Sequence, residues 1–139
     1  MSQGEKLLEL RIPARAERLT LVRALVKRAT QTAGCNDNLG ERLVIAVNEA
    51  CMNIIQHAYS GNGAGEIVLE IHQNGLQLIF RLVDFAQPVD LGTVKSRDLD
   101  DIRPGGLGVH FISEIMDEVK MGHLDGGKGN YLEMKKTID

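Results

Sequence analysis

The sequence is poor in the residues that characterise several large classes of protein. It has no tryptophan and only 4% aromatic residues, so it offers few side chains on which single-stranded nucleic acid could stack. Its two cysteines form neither a disulfide framework nor a zinc-binding pattern. No apolar run approaches the ~20 residues of a membrane-spanning helix. These absences disfavour a nucleic-acid-binding, a disulfide-stabilised and a membrane-spanning protein.

The charge balance is slightly acidic. The 16 Lys and Arg residues against 19 Asp and Glu residues give a net charge of −3 at pH 7. General affinity for nucleic acid or for anionic membranes is therefore not expected. The N-terminus has no apolar stretch of secretory length, and we expect a cytoplasmic protein. A length of 139 residues suits one domain, expected to span residues 1–139.

The apolar periodicity predicts strands and helices in a definite order. In chain order it predicts a strand at 6–12, a helix at 17–33, a second helix ending near Tyr59, a hairpin turning at Asn74-Gly75, a third helix at about 105–119 and a closing hairpin that turns within 125–130. Either Asp37 or Asn38 is expected to cap the second helix. Hairpin strands with helices gathered on one face make a two-layer α/β sandwich.

The segment 85–104 interrupts this pattern. It contains Pro88 and Pro104 among many charged residues, and it is long for a connection inside a compact domain. Segments of this kind are usually lids, binding loops or disordered. We therefore treat it as a candidate lid.

A polar stripe runs along the predicted second helix. At 100° per residue, Arg42, Glu49, Asn53 and Gln56 fall within roughly 60° of one another, with His57 slightly further round. A solvated face is the usual explanation of such a stripe. The stripe has no lysine, however, and apolar residues flank it. A carboxylate beside apolar surface is suited to act as a general base, and an amide oxygen one turn away is suited to Mg²⁺.

Two further features have both a structural and a functional interpretation. Gly105, Gly106 and Gly108 precede the predicted third helix, where exposed backbone N–H groups could bind phosphate. The pattern is neither a P-loop nor a dinucleotide fingerprint, and a flexible loop entering a helix is the simpler explanation. Asp84 closes the apolar strand "LIFRLVD" and is either a turn former or an acceptor for a ligand amine.

In combination, these features resemble the GHKL ATPase superfamily, which comprises gyrase, histidine kinase and MutL types with the Bergerat nucleotide-binding fold. The closer resemblance is to the small anti-sigma-factor serine/threonine kinases of bacterial partner switching. The segments that carry it are, in order, "VNEACMNIIQHAY", "LVDFAQPVD", "RPGGLGVHFISEIMDEV" and "GNYLEMKK". The resemblance covers about residues 8–136. It implies a mostly antiparallel mixed sheet with helices on one face.

The resemblance also implies ATP and Mg²⁺ as cofactors and assigns roles to residues. Glu49 would be the general base for an attacking serine hydroxyl, and Asn53 would hold Mg²⁺. Asp84 would bind the adenine amino group. The implied ATP-binding residues are Asn53, His57, Asp84, Ala86, Gly105, Gly106, Leu107, Gly108, Val109 and Asn130, of which Gly106 to Val109 would surround the phosphates.

The implied function is that of a protein serine kinase that phosphorylates an anti-sigma-factor antagonist and sequesters a sigma factor. A homodimer is also expected, with no direct nucleic-acid or membrane partner. The chain departs from the superfamily's Asp-x-Gly-x-Gly motif, because Ala86 and Pro88 replace the glycines. Asn130 stands where many relatives carry threonine. The missing glycines favour an alternative, a nucleotide-gated protein-binding regulator without kinase activity.

Overall fold

Five strands and two long helices make up most of the computed structural model, which describes residues 4–59, 61, 64–86, 111–126 and 128–138. The elements are β1 (Glu5–Pro13), α1 (Leu19–Ala33), α2 (Asp37–Asn53), β2 (Glu66–Asn74), β3 (Gln77–Asp84), β4 (Glu118–His123) and β5 (Asn130–Thr137). A 3₁₀ turn at Ala16–Arg18 precedes α1, and a π-helical turn at Ile54–Ala58 extends α2. Residues 111–115 are also helical.

The sheet has the strand order β1-β2-β3-β5-β4, and all of its pairings are antiparallel within the described ranges. The helices pack on one face of it, which confirms the predicted two-layer sandwich. No helix in these ranges is both long and apolar enough to cross a membrane.

The core lies between the helices and one face of the sheet. Successive side chains of a strand point to opposite faces, and Leu78, Phe80 and Leu82 of β3 are completely buried on the helix side. The intervening Arg81 lies on the other face, where it stacks 4.5 Å from the Tyr131 ring centroid and approaches Glu133 at 3.6 Å. The predicted alternation of β3 is therefore confirmed.

The helices α1 and α2 approach closely where α2 carries a glycine. A Cβ added to Gly40 would lie 2.9 Å from the Thr30 hydroxyl oxygen, so a side chain at Gly40 would displace the Thr30 side chain, which is buried against α2. At the other end of the pair, Arg23 donates to the Asn48 side-chain oxygen at 2.9 Å. This bond ties Asn48 to α1 and leaves the next residue, Glu49, beside it.

The helix ends follow the expected chemistry, with one correction. Gly34 ends α1 in the left-handed conformation, at φ 98°, as its position predicts. The cap of α2, however, is Asn36, whose side chain accepts from the Leu39 N–H at 2.8 Å. The predictions of Asp37 and Asn38 were wrong because both residues already lie inside the first turn.

Two other boundaries differ from the sequence prediction. The hairpin loop is Gly75-Leu76 rather than Asn74-Gly75, because Asn74 still pairs with Gln77. The predicted third helix does not continue to 119, since β4 begins at Glu118. The proposed lid is outside the described residues from position 87 onward.

Truncating Phe80 tests the position of the core. Because its side chain is fully buried, Phe80→Ala should lower the free energy of unfolding by about 3–5 kcal/mol. Urea denaturation followed by circular dichroism measures this change. Leu76→Ala is the matched control, since Leu76 is 60% exposed and its loss should change stability by less than about 0.5 kcal/mol. Equal effects of the two substitutions would contradict the proposed core.

Candidate active site

The polar face of α2 carries Glu49 and Asn53 on adjacent turns. Both side chains are partly buried. Within the described part of the chain, Glu49 has no hydrogen-bond or ion-pair partner. Its carboxylate is therefore available to accept a proton or a hydrogen bond from a bound molecule. Ile45, which lies one turn before Glu49 and flanks the polar stripe, is 45% exposed, so apolar surface adjoins the carboxylate on the helix.

The side-chain oxygen of Asn53 is the clearest candidate for a metal ligand in the site. It is buried and has no hydrogen-bond partner within the part of the chain that the structure describes. Leaving a buried acceptor unsatisfied costs roughly 1–3 kcal/mol, and an amide oxygen is a ligand that hard cations accept. Mg²⁺ therefore fits this position. Among the described residues no group of three or more His, Cys, Asp and Glu could hold a metal, so its other ligands would be substrate phosphates and water.

Beyond Asn53 the helix changes its geometry. Residues Ile54–Ala58 form a π-helical turn, closed by the Tyr59 N–H donating to the Ile54 oxygen at 3.1 Å. Such turns occur frequently at functional sites. The α-helical wheel used for the polar stripe no longer applies to Gln56 and His57, which are both exposed.

Asp84 lies at the end of β3 and is only 4% exposed. Its Oδ1 accepts from the Asn130 amide at 2.9 Å and from the Ala86 N–H at 3.1 Å. Burial raises the pKa of the Asp84 carboxyl, and these two hydrogen bonds oppose that rise. Its Oδ2 accepts no hydrogen bond from the described residues. One oxygen of Asp84 is thus held in place, and the other can accept from a ligand amine.

Gly129, the residue directly before β5, holds the segment that follows Asp84. The Gly129 N–H donates to the Ala86 oxygen at 3.1 Å. Gly129 has φ +100°, and a Cβ there would lie 2.6 Å from the backbone carbonyl oxygen of Asp84. Only glycine permits this approach. Gly129 was not predicted as a site residue, because it falls within an ordinary turn-like stretch, "DGGKGN".

The structure thus brings together some of the predicted site residues. Asp84, Ala86 and Asn130 form one hydrogen-bonded group, and Glu49 and Asn53 share one helix face. Tyr59 connects the two groups, since its hydroxyl contacts the backbone next to Asp84; the sequence analysis did not assign it to the site. The predicted phosphate-binding residues Gly105, Gly106, Leu107, Gly108 and Val109 lie outside the described residues.

Comparison with known proteins identifies the class to which this site belongs. Residues 12–136 match the family described as histidine kinase-like ATPase domain. In fold, the chain is similar to the crystal structure of the SiaB-SiaC complex from Pseudomonas aeruginosa. That match has a TM-score of 0.68 at 13% identity and covers 98% of this chain and 91% of the other. The chain is therefore a histidine kinase-like ATPase domain, and the resemblance to the GHKL superfamily is confirmed.

Curated relatives narrow the class further. The chain is 34% identical to the serine-protein kinase RsbW of Bacillus velezensis, over 87% of this chain and 81% of the relative. It is also 34% identical to the serine-protein kinase RsbW of Listeria innocua, over 84% and 80%. The chain belongs to the RsbW family of serine-protein kinases, and the predicted ATP-dependent protein serine/threonine kinase is confirmed.

Burial of Asp84 predicts an unusual dependence of stability on pH. An acid whose pKa is raised by folding binds more protons in the folded state, so the free energy of unfolding falls as pH rises from its ordinary pKa of 3.8 through the raised value. Asp84→Asn should therefore be more stable than the wild type at pH 7, and the difference should vanish below pH 3.8. Urea denaturation at several pH values measures it.

Asp117 supplies the control with the opposite sign. The Thr137 N–H, donating at 2.7 Å, lowers the pKa of the Asp117 carboxyl. Asp117→Asn should lose stability at pH 7, and this loss should disappear as pH falls through the lowered pKa. An Asp84→Asn variant less stable than the wild type at pH 7 would show that the hydrogen bonds outweigh the burial.

Proposed function

We propose that this kinase uses Mg-ATP to phosphorylate a serine of a small antagonist protein, and that it sequesters a sigma factor when it is not bound to that antagonist. The proposal follows from membership of the RsbW family together with the geometry of the site. It places the protein in the cytoplasm, where sigma factors act, and includes neither nucleic acid nor a membrane as a direct partner.

One observation carries the proposal: Glu49 and Asn53 are i and i+4 residues on one helix face, and each has an oxygen atom without a partner among the described residues. A carboxylate and a buried amide oxygen that are not engaged by neighbouring side chains suit a general base and a metal ligand. On a solvated helix face, water would satisfy the side-chain amide oxygen of Asn53, so its burial argues for a site rather than a wet surface.

The proposed reaction is the transfer of the γ-phosphoryl group to the serine hydroxyl of the antagonist. A bond forms between the serine oxygen and the γ-phosphorus, the bond from that phosphorus to the β–γ bridging oxygen breaks, and ADP leaves. Glu49 takes the hydroxyl proton. Mg²⁺, when bound, would neutralise charge on the phosphates, and this charge neutralisation together with positioning supplies most of the catalysis in this class of reaction. Asn53 would hold that ion through Oδ1.

Adenine recognition is assigned to the Asp84 group. The Oδ2 of Asp84, which accepts no hydrogen bond from the described residues, would accept from the adenine amino group, while Asn130 and the Ala86 N–H hold Oδ1. The methyl group of Ala86 does not prevent this arrangement, because the backbone of Ala86 bonds on both sides. His57 and the segment Gly105–Val109 remain the proposed contacts to the remainder of ATP, with residues 85–104 as the proposed lid.

A nucleotide-gated regulator without kinase activity is the second candidate, motivated by Ala86 and Pro88 at the glycine positions. It predicts ATP binding without phosphorylation of the antagonist. The same experiments therefore separate the two candidates.

A second copy of the chain is a further proposed partner. The strand β1 lies at the edge of the sheet, and Leu21 and Leu25 of α1 are 52% and 37% exposed. An edge strand and exposed leucines are each suited to pairing with another molecule. Equilibrium sedimentation of the purified chain would decide this point.

Removing the charge of Glu49 tests its role as the base. Glu49→Gln keeps the shape of the side chain, so ATP should bind with unchanged affinity, whereas the rate of serine phosphorylation should fall about 10²–10⁴-fold. The assay incubates the kinase with Mg-ATP and its cognate antagonist and measures phosphoserine by mass spectrometry. Glu41→Gln is the control, because Glu41 lies on the same helix and is exposed. Full activity of Glu49→Gln would defeat the mechanism.

Replacing Asn53 tests the metal site. Asn53→Ala removes the buried oxygen, so it should weaken ATP binding about tenfold in the presence of Mg²⁺ and leave the affinity for ATP in EDTA nearly unchanged. Isothermal titration calorimetry under both conditions measures this difference. Gln56→Ala, an exposed residue on the following turn, should show no such dependence on Mg²⁺. An equal loss of affinity with and without Mg²⁺ would assign Asn53 to the nucleotide rather than to the metal.

A further inference from the structure

Tyr59 occupies a position that no role in the proposed reaction explains. It is the first residue after the π-helical turn that ends α2. Its hydroxyl accepts from the backbone N–H of Phe85 at 2.7 Å and donates to the backbone carbonyl oxygen of Glu66 at 2.8 Å. A tyrosine is protonated at neutral pH and can donate, and burial raises the pKa of the Tyr59 phenol further.

The two backbone groups that Tyr59 joins would otherwise face each other in the sheet. The last pair of the β2–β3 ladder is Ile67 with Asp84. Continuing that register places Glu66 opposite Phe85, where the next pair of the ladder would lie. Instead, the phenol oxygen bridges these two residues. Tyr59 therefore ends the strand pairing immediately after Asp84 and separates β3 from β2 at that point.

We infer that Tyr59 is a positioning residue for nucleotide binding, which fixes the adenine-contacting segment 84–86 to the C-terminal end of the helix that carries Glu49 and Asn53. Three anchors then hold this segment: Tyr59 on the Phe85 N–H, the Asp84 carboxylate on the Ala86 N–H, and Gly129 on the Ala86 oxygen. Without the first anchor, Phe85 could pair directly with Glu66, which would draw residues 85–86 towards β2 and away from the Asp84 carboxylate.

The ring of Tyr59 packs directly against Gly65. Gly65 has φ +93°, and a Cβ on it would lie 2.6 Å from the Tyr59 Cζ atom. Because no other residue fits beneath the ring at this φ, Gly65 determines where the hydroxyl lies. The inference rests on the proposed function in one respect, namely that Asp84 contacts the adenine.

The test compares the only two tyrosines of the chain. Tyr59→Phe keeps the ring and removes only the bridging hydroxyl, so the dissociation constant for ATP should rise about three- to tenfold. The kcat at saturating ATP should change less than about twofold, since Glu49 is untouched. Tyr131→Phe is the matched control and should bind ATP as the wild type does, because Tyr131 contacts Arg81 through its ring face.

Gly65→Ala should also break the bridge between Phe85 and Glu66, since the added methyl group displaces the Tyr59 ring while the hydroxyl is kept. It too should weaken ATP binding. Thermal unfolding of each variant, with ATP binding measured below the transition, separates positioning from general stability. If Tyr59→Phe binds ATP as tightly as the wild type and only melts at a lower temperature, the inference is overturned. Failure of the wild type itself to bind ATP would instead overturn the proposed function.

Discussion

The register of β3 between β2 and β5 is the constraint on which the site depends. Apolar side chains at Leu78, Phe80 and Leu82 must face the helices, and this requirement fixes which face every other residue of β3 occupies. The same register places Asp84 opposite Asn130 at the end of β5. A shift by one residue would carry Asp84 to the opposite face and break its bond to Asn130. The packing of the core therefore positions the carboxylate proposed to bind adenine.

The protein contains two buried polar groups that are costly to its stability and that a purely structural role would not require. Asp84 is a buried acid, and the Asn53 oxygen is a buried acceptor without a donor. Each lowers the stability of the unliganded chain. A ligand that satisfies both groups returns part of this free energy on binding, so nucleotide binding should also stabilise the fold. The buried Asp84 carboxyl and the buried Asn53 oxygen thus link the stability of the fold to nucleotide binding.

Much of the fold was predictable because its local signals agree with its packing. The alternation of β2 and β3 and the helical spacing of α1 all indicated the elements that the structure contains. Asn36 was missed because "CNDN" offers several capping residues and only backbone geometry selects among them. The hairpin turn was displaced by one residue for a similar reason.

The candidate site was predictable where a motif lies within one element and less so where elements meet. Glu49 and Asn53 share a helix, so spacing alone placed them together. Tyr59 and Gly129 act through backbone contacts to the residues around Asp84, and such contacts depend on tertiary structure that periodicity does not report. The resemblance to a known family supplied the link between α2, Asp84 and the glycine cluster, which residue patterns by themselves left open.

The π-helical turn at Ile54–Ala58 has a consequence for how this chain can change in length. The turn accommodates one residue more than an α-helix of the same span, and Tyr59 follows it directly. Deleting one residue here would therefore restore an ordinary α-helix of the same span and leave Tyr59 at nearly the same place around the helix axis. An insertion, or a second deletion, would instead turn the phenol by roughly 100° and carry its hydroxyl away from the end of β3. This helix end can thus lose a single residue, and no more, between Asn53 and Tyr59 without losing the contact that Tyr59 makes.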